Sequence, residues 1–172
     1  MSNKVFVGYD TREDIAYQVC EHSILQHNPN TKVIPLVQKD MRNDKLYWRG
    51  EDKLASTEFT FTRFLIPHLM NYEGWALFID SDIIFLEDVD NLFALADESK
   101  AVMCVHHDYT PKPGTKMDGQ VQTQYPRKNW SSLIMFNCGH EYNQKLTPQE
   151  VNTKSGRWLH TFQWLPDKEA DI

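Results

Sequence analysis

Short apolar runs separated by polar or amphipathic stretches set the rhythm of this chain. Residues 4–9, Lys-Val-Phe-Val-Gly-Tyr, are rich in β-formers and alternate little, which predicts a strand buried on both faces. Gly8-Tyr9-Asp10-Thr11 breaks that run, and Asp10 or Thr11 is suited to cap a helix expected from about Glu13 to His27. Ile15, Ala16, Val19, Cys20 and Ile24 recur at helical spacing and predict its buried face. A turn cluster over 27–31 leads to a second strand over 33–37, where Pro35 calls for an edge position or a bend. Thr57 to Met70 has a helical pattern that Pro67 bends or ends. Two apolar bursts, Trp75–Ile79 and Ile83–Leu86, flank Asp80-Ser81-Asp82, and a short helix opens at Asp88. Further strands are expected at 101–105 and 131–136. Between them, His106 to Asn129 is a polar loop with three prolines, of a length that is usually functional or mobile. Strands alternating with helices predict the α/β class with a mostly parallel sheet flanked by helices, and 172 residues fit one domain.

Composition narrows the partners. With 18 basic against 24 acidic residues the net charge is −6, so the basic face of a nucleic-acid binder is not expected. No apolar run is long enough for a transmembrane segment, and the N-terminus does not read as a signal peptide. Cys20, Cys104 and Cys138 are odd in number and scattered, which predicts reduced, buried thiols and a soluble cytoplasmic protein. Trp130, Trp158 and Trp164 suit core packing or a partner surface such as a homodimer, with stacking on an acceptor sugar as the alternative.

The chemistry concentrates at Asp80-Ser81-Asp82. In an extended segment residues i and i+2 point the same way, so Asp80 and Asp82 can address one ion where a buried strand emerges from the sheet. Hard divalent cations such as Mn²⁺ or Mg²⁺ favour these oxygen ligands and share them with substrate phosphates. A strand-end turn closed by Asx hydrogen bonds explains the same pattern. The spacing recurs at Asp88-Val89-Asp90, where helix capping accounts for it. Tyr9, Asp10 and Arg12 lie at the carboxyl end of the first strand, where open α/β sheets bind ligands. Ring, carboxylate and guanidinium suit a base, a ribose hydroxyl and a phosphate respectively; a helix cap with a surface Arg is the plainer reading.

Taken together, Phe61-Thr62-Arg63-Phe64-Leu65-Ile66-Pro67, Gly74 to Asp82 and Leu86-Glu87-Asp88-Val89 resemble the central block of glycosyltransferase family 8. That family includes the glycogenin and lipopolysaccharide galactosyltransferase types and has the GT-A, Rossmann-like fold. Val5-Phe6-Val7-Gly8-Tyr9-Asp10 is similar to its donor-binding strand, and the resemblance covers roughly residues 4–95. It implies a metal-dependent, retaining hexosyltransferase using a nucleotide diphosphate sugar, commonly a UDP-sugar, and a glycan, lipid or protein acceptor. By the same resemblance Asp80 and Asp82 bind Mn²⁺ with the donor diphosphate, Ser81 lies near the ribose, and Arg63 meets phosphate or sugar. Gly8, Tyr9 and Asp10 belong to the base-binding turn. Asn137 is similar to the Asn of the family's Asn-Ala-Gly segment near the sugar, with Cys138 in place of Ala, and Gln163 corresponds to the polar residue beneath the anomeric carbon.

The sequence departs from the family downstream. Members place a His in a His-x-x-Gly-x-x-Lys-Pro-Trp-like segment, and nothing like it follows Trp164. The expectation is a chain lacking the C-terminal segment, or a minimal form in which His106, His107 or His160 is the third ligand. Lys112, Lys116, Arg127 and Lys128 mark the long loop as a lid over the donor or as a solvated loop. Two other functions compete: a nucleotidyltransferase, which the lack of glycine over 9–14 disfavours, and a non-catalytic nucleotide-sugar-binding module.

Overall fold

A computed structural model describes residues 3–50, 52, 55–106, 129–166 and 172. Five strands form one sheet: β1 (Lys4–Gly8), β2 (Lys32–Leu36), β3 (Trp75–Ile79), β4 (Val102–His106) and β5 (Asn129–Asn137), in the order β2-β1-β3-β5-β4. β1 pairs in parallel with β2 and β3, whereas β5 runs antiparallel to β3 and β4. Four strands therefore point one way and β5 the other, in keeping with a mostly parallel α/β sheet.

Strand alternation divides the core between the two faces. Val5 and Val7, Leu77 and Ile79, and Met135 pack on one side with Tyr17, Cys20 and Ile24 of helix α1 (Asp14–His27). Phe6, Ala76, Phe78, Ile134 and Phe136 pack on the other with Phe59, Phe64, Val151 and Leu159. Because both faces are covered, β1 and β3 read as apolar runs and not as alternating patterns. Pro35 lies in β2, which forms an edge of the sheet.

Several elements differ from expectation. In α1, Ile15 and Val19 are exposed (72% and 48%), and the buried stripe is Tyr17, Cys20 and Ile24 with Ser23. The i, i+3, i+7 set through Tyr17 faces the sheet; Ile15 and Val19, two residues off it, cannot share that face. The stretch Thr57 to Met70 is a turn followed by a 3₁₀ segment, Thr62–Leu65, and the short helix α3 (Ile66–Leu69), with Pro67 in its first turn. Ile83–Leu86 is irregular and crosses α1, its Phe85 N–H donating to Ser23 Oγ at 3.0 Å. The short helix expected in the polar stretch after the second strand is α2 (Gln38–Asn43). α4 (Asp90–Phe93), α5 (Pro148–Thr153) and α6 (Gly156–His160) complete the fold, the last two capped by Thr147 and Ser155 hydroxyls. No helix among the described residues is long and apolar enough to cross a membrane.

Candidate functional site

The parallel pairing of β1 with β3, Val7 opposite Ile79, sends Gly8-Tyr9-Asp10 and Asp80-Ser81-Asp82 out of the sheet side by side. Gly8 ends β1 where no side chain fits: a Cβ there would stand 2.5 Å from Cδ2 of Phe59. Its glycine thus makes room for the Phe59 ring, which lies 6.3 Å from Phe78 between centroids and forms part of the floor of the site.

Asp10 is buried and fully used by the protein. Its Oδ1 accepts from the Arg12 backbone N–H (3.0 Å) and Nε (2.9 Å), and its Oδ2 from Arg12 Nη2 (2.7 Å) and the Glu58 N–H (3.1 Å). Hydrogen bonding from Arg12 outweighs burial and holds the carboxyl at about 2, well below its ordinary value. Direct base contact by Asp10 is therefore corrected: with its side chain wholly covered, it fastens the turn after β1 to the 56–60 segment. Arg12 remains two-thirds exposed while paired to Asp10. Tyr9 donates its hydroxyl to Asp14 at 2.9 Å and meets Tyr17 edge-on.

Asp80 and Arg63 form the charged centre. Arg63 is buried and lies with its guanidinium carbon 4.6 Å from the centroid of Phe78 and 5.3 Å from that of Phe59. Its Nε donates to the Phe59 carbonyl and its Nη1 to the Ser131 carbonyl, and Nη1 lies 2.9 Å from Asp80 Oδ1. That last contact is an ion pair whose angles fall short of a hydrogen bond, leaving Oδ1 buried and available as an acceptor. Burial pushes the Asp80 carboxyl up and Arg63 opposes it; burial likewise pulls Arg63 down against the same pair. Arg63 thus places Nε and Nη1 on backbone carbonyls and Asp80. Ser81 is buried, and Asp82 is exposed. Asp82 opens into a cleft of about 530 Å³ lined by Thr11 to Ala16, the space in which the two strand ends converge.

Two expected residues do not join this site. Asn137 pairs with Trp75, at the start of β3, because β5 runs antiparallel; that is five residues, ~16 Å, from Asp80 along the sheet. Its amide donates to the carbonyls of Glu98 and Lys100, so it staples the far end of the sheet. Gln163 is exposed, its backbone N–H donating to the Trp158 carbonyl, and no described contact takes its side chain to the acid pair. Asp88 and Asp90 also lie away from the site. Both carboxylates accept from the Asn28 amide, and Asp90 accepts from Asn3, which precedes β1. Trp164 is core, its indole N–H donating to Asn143. His107 and the four basic residues expected on a lid lie outside the described residues, as do the side chains of His106 and Trp130. His160 bonds through Nδ1 to Ser131 Oγ at 2.9 Å. Among the described residues no group of three or more His, Cys, Asp or Glu converges as a metal cage.

Glu58, Phe59, Ser131 and Ser132 are site residues that the sequence reading missed. Glu58, Ser131 and Ser132 act through backbone groups at separations of 48 residues or more, Phe59 through its carbonyl to Arg63 and its ring against Phe78, and no local motif marks them.

The model of glycosyl transferase family 8 matches residues 13–143, and the chain belongs to that family. "Protein CDI" of Arabidopsis thaliana is 56% identical over 167 residues, 96% of this chain and 64% of that protein. Among solved structures, the bifunctional glycosyltransferase WbbM superposes with a TM-score of 0.60 at 16% identity, covering 87% of this chain and 34% of its own. The glycosyltransferase GlyE of Streptococcus pneumoniae TIGR4 gives 0.57 at 15% identity, with 99% and 44% covered. At these identities the likeness shows the GT-A fold. The chain therefore spans about two thirds of the length of its curated relative and less than half of these two structures.

Proposed function

We propose that this chain binds a nucleoside diphosphate sugar, most simply a UDP-sugar, at the carboxyl ends of β1 and β3, and transfers its hexose to an acceptor. The observation that carries the reading is the pair of carboxylates at the end of β3: Asp80, half-buried against Arg63, and Asp82, open to the cleft beside the turn after β1. The cleft volume lies in the range of small-ligand sites.

The acid pair fits a divalent cation. Asp80 Oδ1 is a buried oxygen with no hydrogen bond, Asp82 is exposed beside it in sequence, and hard oxygen donors suit Mn²⁺ or Mg²⁺. Such an ion, when bound, neutralises the charge that develops on a diphosphate leaving group. The chain's own residues prepare the place. Burial pushes the Asp80 carboxyl up, and the Arg63 guanidinium beside it opposes that rise. Asp10 locks the turn that carries Arg12, so that the guanidinium stands at the cleft before any ligand arrives. Retention of anomeric configuration belongs to this proposal through the family resemblance. The acceptor, whether glycan, lipid or protein, is read from no residue here.

A second reading is favoured by one observation. Neither Asn137 nor Gln163 reaches the acid pair, so the described residues supply a donor site without residues assigned to the sugar. A binding module of a larger glycosyltransferase has that composition. Release of UDP from UDP-glucose and UDP-galactose with Mn²⁺ separates the two: turnover that stops in Asp82→Asn supports transfer, and binding without turnover supports the module.

A further inference from the structure

Two backbone carbonyls of β5 hold the charged centre. The Ser131 carbonyl accepts from Arg63 Nη1, and the Ser132 carbonyl accepts the Asp80 N–H at 2.8 Å. Both lie just beyond the last paired rung of β3 with β5, Ile79 opposite Leu133, where the Asp80–Ser132 bond continues the ladder and the β4–β5 register is irregular. A contact from outside the sheet can add to the hold on residues 131 and 132.

His160 is built to do so. It ends α6, and its Nδ1 lies 2.9 Å from Ser131 Oγ. Its ring meets Phe64 edge-on at 5.1 Å between centroids and Phe61 at 6.1 Å. Phe61 and Phe64 bracket Arg63 in sequence, so one imidazole touches both sides of the Arg63–Ser131 hydrogen bond: the segment that presents the guanidinium and the strand end that receives it.

We infer that His160 is a positioning residue for the Arg63–Asp80 pair, acting through Ser131. It clamps the end of β5 to the segment carrying Arg63 and so fixes the direction in which Asp80 leaves the sheet. The consequence for ligand binding rests on the donor-site reading above; the positioning itself is measurable without a ligand.

The test compares the native chain with His160→Ala, His160→Asn, Ser131→Ala and the double His160→Ala/Ser131→Ala. Asparagine places a polar side-chain atom close to where Nδ1 stood and removes the ring edge. Amide hydrogen exchange of Asp80, read by NMR against Leu77 within β3, is the first measurement. His160→Ala and Ser131→Ala should each speed Asp80 exchange about fivefold relative to Leu77, as loss of one hydrogen bond implies. The double variant should be no faster than either single, and His160→Asn should return within about twofold of native. Equal exchange in His160→Asn and His160→Ala, or additive effects in the double, would overturn the inference and leave His160 as ring packing on Phe61 and Phe64. The second measurement is the dissociation constant of UDP with Mn²⁺, expected to weaken in His160→Ala and recover in His160→Asn. A native chain that binds no UDP overturns the donor reading, and the exchange result still decides the role of His160.

Discussion

Replacing Asp10 by Asn tests how the site is prepared before any ligand binds. The carboxylate is 1% exposed and accepts four N–H donors from Arg12 and Glu58. Its pKa falls from 3.8 to about 2, chiefly through Arg12, and with solvent screening at the exposed guanidinium this corresponds to about 2 kcal/mol of stability at neutral pH. The sign follows from a folded-state pKa below the unfolded one: the contribution is complete above pH 4 and is lost as pH falls through about 2. Asparagine keeps the shape but turns an amide donor toward two of the four N–H groups and leaves them unpaired. The expected cost is therefore ~2–3 kcal/mol, roughly 4–12 °C in Tm for a domain of this size. Urea unfolding of both proteins at pH 7, 5 and 3 measures it. The difference should be level between pH 7 and 5 and shrink clearly at pH 3. A cost under about 0.5 kcal/mol at pH 7, or one that does not change at pH 3, would refute the argument that Asp10 acts as an ionised anchor.

Other perturbations follow from the same geometry. Gly8→Ala drives a methyl into the Phe59 ring and should cost ~1–3 kcal/mol in urea unfolding, with part of it recovered by Phe59→Leu. Arg63→Met leaves the half-buried Asp80 without its cation and should cost ~1–3 kcal/mol; adding Asp80→Asn should relieve at least about 1 kcal/mol, a coupling read from the double-mutant cycle. Burial pushes the Cys20, Cys104 and Cys138 thiols up to about 12, so iodoacetamide at pH 8 should label none of them quickly in the native chain and all of them in urea, as counted by mass spectrometry.

The sheet was legible because its strands are short apolar runs bounded by turn residues, and even the edge position of β2 followed from Pro35. The two copies of the acid spacing sit in different places: Asp80 emerges beside β1, whereas Asp88 and Asp90 are bound by Asn28, with the Asp90 N–H donating to Asp88 at the start of α4. The direction of β5 was not legible. Parallel and antiparallel strands share the same apolar pattern when both faces are buried, so nothing in Ser131–Phe136 announced that Asn137 would end at the far edge. The helical period over 57–70 misled for a related reason: Phe59, Phe61 and Phe64 are buried because turns place them around Arg63, not because a continuous helix does. On α1 the expected Cys20 and Ile24 are buried, but Ile15 and Val19 are apolar yet look outward, Ile15 into the cleft, and Tyr17 takes their place on the buried face.

Calorimetric titration of UDP tests the central claim most directly, on the native chain with Mn²⁺ and with chelator, on Asp82→Asn, and on Asp88→Asn as the control for the second acid pair. The account predicts Mn²⁺-dependent binding that prefers UDP over other nucleoside diphosphates, disappears in Asp82→Asn and changes less than about twofold in Asp88→Asn. Binding that survives chelation and the loss of Asp82, or no binding under any condition, would contradict it and make Asp80-Ser81-Asp82 a structural turn.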